Sequence, residues 1–173
     1  DADLRAAADS GRLARPEALR DQSRRMLDDP RTRRLAIEFA CQWLGIRDFD
    51  QLDEKSSRHF PEFADLQDDM YQESIRFFED LFRNDGSILD VLAAEHTFVN
   101  PELAAFYGIP GVTDGGWRRV ENVDRFNRGG ILAQASTLAR QSGASRTSPI
   151  LRGNWVSETL LGERLPRPPK DVP

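Results

Sequence analysis

Residues 61–84 read PEFADLQDDMYQESIRFFEDLFRN and carry the strongest structural signal of the chain. Their apolar side chains recur every three or four positions, which predicts one long amphipathic helix. The first apolar stripe consists of Phe63, Leu66, Met70, Phe77 and Leu81, and the adjacent one of Tyr71, Ile75, Phe78 and Phe82. Together the stripes make an apolar face wider than about 100°, which is typical of a core helix. We therefore expect this helix to lie at the centre of the fold.

The polar residues of the same segment are expected to form a solvated face opposite the stripes. They are Asp65, Asp69, Glu73, Arg76 and Asp80. Carboxylates on one helix face also occur in di-metal sites of helical bundles, but those sites combine them with Glu-x-x-His pairs. The sequence contains no such pair. It therefore predicts a solvated acidic face and no metal site.

The flanking segments are predicted to be mostly helical. Residues 31–44 place Leu35, Ala36, Phe39, Ala40 and Trp43 on one apolar face, with Cys41 as a small core residue. Asn100-Pro101 and Ser148-Pro149 are typical of an N-cap followed by proline at the first helical position. Residues 131–140 also read as one helix, whereas residues 117–123 are β-like. The predicted fold is mainly α: a single irregular helical bundle of about six to eight helices, with a short β ribbon near 117–123.

Composition narrows the class of protein. The 173 residues have a net charge of −5, which disfavours nonspecific binding to nucleic acid. No apolar run approaches the roughly 20 residues of a membrane-spanning helix. A single cysteine excludes an internal disulfide framework. Because the sequence begins at Asp1 rather than Met, we expect a processed or excised piece.

Three arginines and a serine are candidate anion-binding residues. Arg128 precedes two glycines and a predicted helix, so it could hold an anion at the helix start, although close backbone packing also explains the glycines. Arg146 and Arg152 bracket the helix start at Ser148 and could clamp a carboxylate or propionate; the alternative is a structural ion pair. Ser148 itself is explained as an N-cap.

His96 is the remaining candidate. It follows Glu95 and precedes an apolar run, so it could serve as an axial ligand or a general base. The alternative is a capping or surface residue at a helix end. No residue is assigned a catalytic role.

Several motifs follow one another along the chain, each of them occurring once. They include Phe39-x-x-Gln42-Trp43-Leu44-Gly45, Phe98-Val99-Asn100-x-x-Leu103-Ala104-x-x-Tyr107-Gly108-Ile109, Arg128-Gly129-Gly130-Ile131-Leu132 and Thr147-Ser148-Pro149-x-x-Arg152-Gly153-x-Trp155-Val156. In order and spacing they resemble the multidomain cytochrome c-like proteins of planctomycetes and related bacteria. The resemblance implies a helical domain of unknown function at 1–110. It also implies that residues 111–173, packed on the first part, begin a cytochrome c-like segment and lack its haem-attachment motif.

In that family a haem-attaching motif follows a proline-rich tail like residues 166–173. The resemblance therefore implies no cofactor within this chain, haem c in an adjoining segment, and a periplasmic or extracellular location. The leading hypothesis is a non-catalytic scaffold or docking domain that positions a haem domain or a redox partner. Its surface would be the acidic centre at residues 41–100 and the three arginines.

Two alternatives stay open. One is a stand-alone accessory subunit of a larger redox or photosynthetic complex, associated with a membrane through its partners. The other is an enzyme domain acting on a polysaccharide, with carboxylates that the sequence does not single out. Of these three hypotheses, the two non-enzymatic ones are favoured over the enzyme domain. The expected partner is a protein or the adjoining haem domain, with no nucleic acid and no transmembrane segment.

Overall fold

The computed structural model describes residues 1–163 and 166, and this part of the chain is mainly α-helical, as predicted. Its α-helices are α1 (Ala2–Asp9), α2 (Pro16–Leu27), α3 (Thr32–Leu35), α4 (Phe63–Arg83), α5 (Asp90–Ala93), α6 (Pro101–Tyr107), α7 (Gly130–Ala133), α8 (Ala135–Arg140) and α9 (Pro149–Trp155). Helices α3, α5 and α7 are single turns of four residues, which brings the count in the described part above the six to eight expected.

Helix α4 lies at the centre of the core, as its two stripes predict. Leu66, Met70, Ile75, Phe77 and Phe78 are all buried along it. It packs against β1, α6 and α8, and against the π-helical turn Ala36–Cys41 that extends α3. One cluster of buried residues joins all these elements. The long helix is therefore stabilised by apolar burial around most of its circumference.

The helical segment that extends α3 as far as Trp43 buries only part of its expected apolar face. Ala36, Ala40 and Leu44 are buried against the core, and so is Cys41, as predicted. The large side chains of the same predicted face remain exposed; they are Leu35, Phe39 and Trp43. The residues predicted to share one apolar face are therefore divided, with the alanines buried and the large side chains exposed. The side with the small alanines lies against α4, because small side chains let two helices approach closely.

The β ribbon expected near residues 117–123 is present. Strand β1 (His96–Val99) pairs antiparallel with β2 (Arg118–Glu121), and His96 lies opposite Glu121. Thr97 and Val99 point into the core, whereas His96 and Phe98 are only partly buried. The ribbon therefore places one polar side chain, that of Thr97, beside α4.

Residues 131–140 form two helices rather than the one predicted. Gln134 has an extended backbone (φ −68°, ψ 138°) that separates α7 from α8. Its side chain is buried, and its amide oxygen accepts a hydrogen bond from Ser74 Oγ at 2.7 Å. Ser74 Oγ also lies 2.6 Å from Ser136 Oγ. The break between α7 and α8 lets the side chains of Gln134 and Ser136 reach Ser74 on α4. A continuous helix would not place both of them there.

Two findings bear on the remaining expectations. Within the described residues, no helix has both the length and the apolar character needed to cross a membrane. The proline-rich segment 166–173 lies, apart from Pro166, outside the described residues. The division at residue 110 stays a prediction, although residues after 128 contribute Ile131, Ala135 and Trp155 to the common core.

Gly129 and Gly130 allow the backbone before α7 to contact the end of α5. Both have positive φ angles, +110° and +59°. A Cβ at Gly129 would lie 2.2 Å from the carbonyl oxygen of Ala94, and one at Gly130 would lie 2.3 Å from that of Leu92. Close backbone packing is thus sufficient to explain both glycines.

We expect Gly130→Ala to lower the free energy of unfolding by about 2–4 kcal/mol, since it combines a left-handed backbone with a backbone clash. Gly153→Ala is the matched control: Gly153 lies within α9, and an added Cβ meets nothing within 4 Å. That change should stabilise the protein by about 0.5–1 kcal/mol. Urea denaturation of both variants tests this, and an equal effect of the two would contradict it.

Candidate functional site

Glu73 lies inside the core and not on a solvated face. Its side chain is 1% exposed, so its predicted place among the solvent-facing polar residues of α4 was wrong. Asp65 is exposed, as expected. At 100° per residue, Glu73 is rotated about 80° from Asp65 but only about 40° from the buried Phe77. Glu73 therefore belongs to the edge of the buried apolar face of α4, where β1 and α6 cover it.

Two hydroxyl groups satisfy the Glu73 carboxylate. Thr97 Oγ1 donates to one oxygen at 2.5 Å, and the Tyr107 hydroxyl donates to the other at 2.6 Å. The Tyr107 oxygen in turn accepts from the backbone N–H of Ala135 at 3.2 Å. The carboxylate thus connects α4 to β1 and α6 directly, and to the start of α8 through Tyr107.

Burial shifts the proton equilibrium of this group. Loss of hydration raises the pKa of Glu73 from 4.5 to about 7, while the bonds from Thr97 and Tyr107 and the charge of Arg128 oppose the rise. Burial also raises the pKa of Tyr107 well above 10, and the neighbouring Glu73 adds to that shift. Near neutral pH, Glu73 therefore exchanges between its protonated and ionised forms while Tyr107 keeps its proton.

A cavity of about 350 Å³ lies beside this cluster. Its walls come from residues 55–63, from Met70 on α4, from Phe106 on α6, and from residues between 128 and 152. Most of the lining is apolar, with aromatic side chains from Phe60 and Phe63 as well. Three cations, Lys55, Arg128 and Arg152, and one carboxylate, Glu62, also line it. The charge balance favours an anionic occupant.

Lys55 holds one wall of the cavity. Its ammonium group donates to the carbonyl oxygen of Ser142 at 2.8 Å, to Ser142 Oγ at 3.1 Å and to the carbonyl oxygen of Gly143 at 3.2 Å. Burial lowers the pKa of the Lys55 ammonium. Because all three of its N–H groups have acceptors, Lys55 supplies positive charge but no spare donor.

Arg128 and Arg152 are the two candidate residues that the structure brings to one cavity. The Arg128 guanidinium lies over the Tyr107 ring, 4.0 Å from its centroid, and its Nη1 donates to the carbonyl oxygen of Ala133 at 2.9 Å. Neither arginine forms a salt bridge with a carboxylate of the described residues. The Nε atoms of both are buried without a hydrogen-bond partner there.

The other two residues around the start of α9 do not join the cavity. Arg146 is exposed and is not part of the lining. Ser148 is the N-cap of α9, since its Oγ accepts from the backbone N–H of Leu151 at 3.2 Å. Arg146 therefore does not reach the cavity that Arg152 lines, and the second arginine of that lining is Arg128.

His96 lies on strand β1, not at a helix end as expected. Its Nε2 is 3.7 Å from a carboxylate oxygen of Asp80, and its ring centroid is 5.5 Å from that of Phe77. Burial, aided by the charge of Arg119, lowers the pKa of His96. The residue is not part of the cavity lining. Among the described residues, no group of three His, Cys, Asp or Glu side chains could hold a metal ion.

Sequence reasoning missed Glu73 and Lys55. The signal for Glu73 was its position between Met70 and Phe77, three residues after one stripe residue and four before the next. Nothing in the spacing around Lys55 indicated its contacts, because Ser142 and Gly143 lie more than 80 positions away.

Comparison with known families matches most of the chain. A model described as PSD4, a protein of unknown function (DUF1592), matches residues 1–109. A second, described as PSCyt3, a protein of unknown function (DUF1588), matches residues 128–173. Both are domains of planctomycete-type cytochrome c-like multidomain proteins, which confirms the resemblance found in the motifs. No curated protein and no solved structure matches the chain.

We expect Glu73→Gln to remove a pH dependence of stability. The folded-state pKa of Glu73 lies above its ordinary value, so folding retains a proton that the unfolded chain releases between pH 4.5 and about 7. The free energy of unfolding of the wild type therefore falls across this window. Relative to the wild type, the variant should gain up to about 3 kcal/mol between pH 4 and 8.

Urea denaturation at several pH values measures this difference. Asp65→Asn is the matched control, because it removes an exposed carboxylate from the same helix. A difference between Glu73→Gln and the wild type that stays constant from pH 4 to 8 would contradict the proposed protonation of Glu73.

Proposed function

Because the chain belongs to the family described as PSD4, proteins of unknown function (DUF1592), and carries a PSCyt3 (DUF1588) segment, we propose that it is a non-catalytic docking domain. It would hold a haem-bearing domain or a redox partner in position within an exported cytochrome c-like protein. The electron-transfer chemistry would then belong to the partner, and this chain would supply the surface.

One observation carries the proposal, namely an apolar stripe of three large side chains on the surface. Leu35, Phe39 and Trp43 are 42%, 58% and 38% exposed and follow one another at intervals of four residues. Full burial of a side chain of this size contributes about 1.5–3 kcal/mol, and roughly half of that remains to be gained at each of these partly exposed positions. Contiguous exposed apolar residues of this kind mark protein interaction sites.

The apolar stripe is held rigidly, which favours docking. Trp43 Nε1 donates to the carbonyl oxygen of Thr159 at 3.2 Å, and Trp155 Nε1 donates to that of Leu44 at 3.1 Å. Both bonds join the helix of the stripe to the segment that begins with α9. A preorganised surface loses little conformational entropy on binding, so more of the apolar contact appears as affinity.

The position of the stripe also supports the proposal. Thr159 lies in the π-helical turn Val156–Leu160, a few residues before the tail that leads to residue 173. In the related multidomain proteins the haem-attaching motif follows that tail. A domain attached after that tail would be tethered to the segment that contacts Trp43, and this would hold it at a high local concentration for docking onto the stripe.

The test uses the natural gene product that contains this chain, with a photo-activated cross-linking residue in place of Phe39. We expect cross-links from position 39 to a haem-bearing peptide, and an absorption spectrum of the purified protein or complex with a Soret band. A cross-link within the same polypeptide identifies a docked haem domain. A cross-link to a separate haem protein at fixed stoichiometry identifies an accessory subunit.

Position 88 provides the matched control, since Ile88 is 74% exposed and lies outside the stripe. Phe39→Glu and Ile88→Glu should each change the free energy of unfolding by less than about 0.5 kcal/mol. Only Phe39→Glu should abolish the cross-linked product when the probe is placed at Trp43. The absence of haem from the natural protein and its complexes would refute the proposal, as would equal cross-linking at both positions.

A further inference from the structure

We propose that the cavity between α4, α6 and α8 binds a small organic carboxylate with an apolar body, such as an aryl or short acyl acid. This is a ligand site in its own right, and it does not depend on the docking role of the apolar stripe. Its occupant follows from three properties of the cavity: its size, its apolar lining and two arginines that form no salt bridge with the described residues.

The volume of the cavity limits the size of the ligand. The cavity measures about 350 Å³, near the lower end of the range of about 300–1,000 Å³ for small-molecule sites. Since a water molecule occupies about 30 Å³ of liquid, this volume corresponds to about a dozen non-hydrogen atoms. A ligand of that size is smaller than a nucleotide or a porphyrin.

The side chains that line the cavity favour a ligand with an apolar body. Phe60, Phe63, Met70, Phe106 and Leu138 face the cavity. Phe106 remains 44% exposed although it lies one residue from the buried Tyr107, so it forms part of an open rim. Aromatic and thioether side chains favour an aromatic or aliphatic group over a hydrated ion such as phosphate.

The two arginines of the lining favour a ligand with a carboxylate group. Arg152 lines the cavity, and its side chain makes no hydrogen bond and no salt bridge with the described residues. Arg128 uses Nη1 for the Ala133 carbonyl, and its Nη2 makes no hydrogen bond with the described residues. Guanidinium groups bind planar carboxylates through paired hydrogen bonds. A carboxylate in the cavity would neutralise charge that the described residues leave without an ion pair.

The remaining charged groups of the cavity agree with this assignment. Lys55 adds positive potential while its own donors stay bound to Ser142 and Gly143. Glu62, the only carboxylate that the described residues contribute to the lining, is exposed, so water screens its repulsion. A cationic or neutral ligand would leave the three cations uncompensated next to an apolar wall.

The experiment titrates the full 173-residue chain with 3-phenylpropionate by isothermal calorimetry. The neutral isostere 3-phenylpropanamide tests the need for charge, and inorganic phosphate tests the need for an apolar body. We expect saturable one-to-one binding of the acid, at least about tenfold tighter than that of the amide, and no saturable binding of phosphate. These comparisons use the unaltered protein and so do not depend on the folding of any variant.

Two substitutions in the lining, Arg152→Gln and Ala139→Leu, test whether the acid binds in this cavity. Arg152→Gln should weaken binding of 3-phenylpropionate about tenfold or more. Arg146→Gln is the matched control, because it removes the same charge six residues away and outside the cavity; its affinity should be unchanged. Ala139→Leu keeps every charge but fills part of the cavity, and it should also weaken binding. Circular dichroism verifies that each variant is folded.

Several results would overturn the proposal. Equal affinity for the acid and the amide would mean an apolar cavity without anion recognition, and phosphate binding as tight as that of the acid would mean simple ion pairing. Equal losses from Arg152→Gln and Arg146→Gln would assign the effect to net charge. The absence of saturable binding at about 10 mM acid would mean that the cavity is not a ligand site.

Discussion

A carboxylate without access to water is the constraint on which the rest of the structure depends. An ionised group in the core is tolerated only when partners replace its hydration, and removing one partner from such a cluster costs several kcal/mol. The partners of Glu73 come from separate elements: Thr97 from β1 and Tyr107 from α6, with the charge of Arg128 added from the segment before α7. Apolar packing around α4 tolerates small shifts of these elements, but hydrogen bonds of 2.5 and 2.6 Å do not. Glu73 therefore defines the register in which the ribbon and the short helices pack on the long one.

Arg128 links this constraint to the cavity. It lies over the ring of Tyr107, contributes to the electrostatic environment of Glu73 and lines the cavity. Its position depends in turn on the glycines that follow, because only residues without a Cβ fit against the carbonyl groups of Leu92 and Ala94. The motif Arg128-Gly129-Gly130 thus combines a packing requirement and a charged group in three residues. The two interpretations drawn from the sequence, close packing and anion binding, are compatible because different atoms of the motif serve them.

Local rules account for the elements that could be predicted from the sequence. Periodicity identified α4, the Asn100-Pro101 and Ser148-Pro149 pairs identified the starts of α6 and α9, and β propensity identified the ribbon. The errors arose where a distant contact determines the outcome. Glu73 was assigned to solvent because its partners lie 24 and 34 residues away, and the helix break at Gln134 depends on Ser74, 60 residues away. Arg128 and Arg152 were chosen for their neighbours in sequence, but only the fold shows that they share a cavity while Arg146 does not.

The cavity lies where the two family segments meet, and this has a thermodynamic consequence. Its walls include Phe63 and Met70 from the segment matched at residues 1–109, and Arg128 and Arg152 from the one matched at 128–173. Lys55 bridges the same boundary through Ser142. A ligand held by both sides binds the assembled state and not the separated one, so it must stabilise the contact between the segments by mass action. The apolar stripe lies on the same boundary, because Trp43 is bonded to Thr159. The cavity and the stripe are therefore two separate features that are both built across the contact between the two segments.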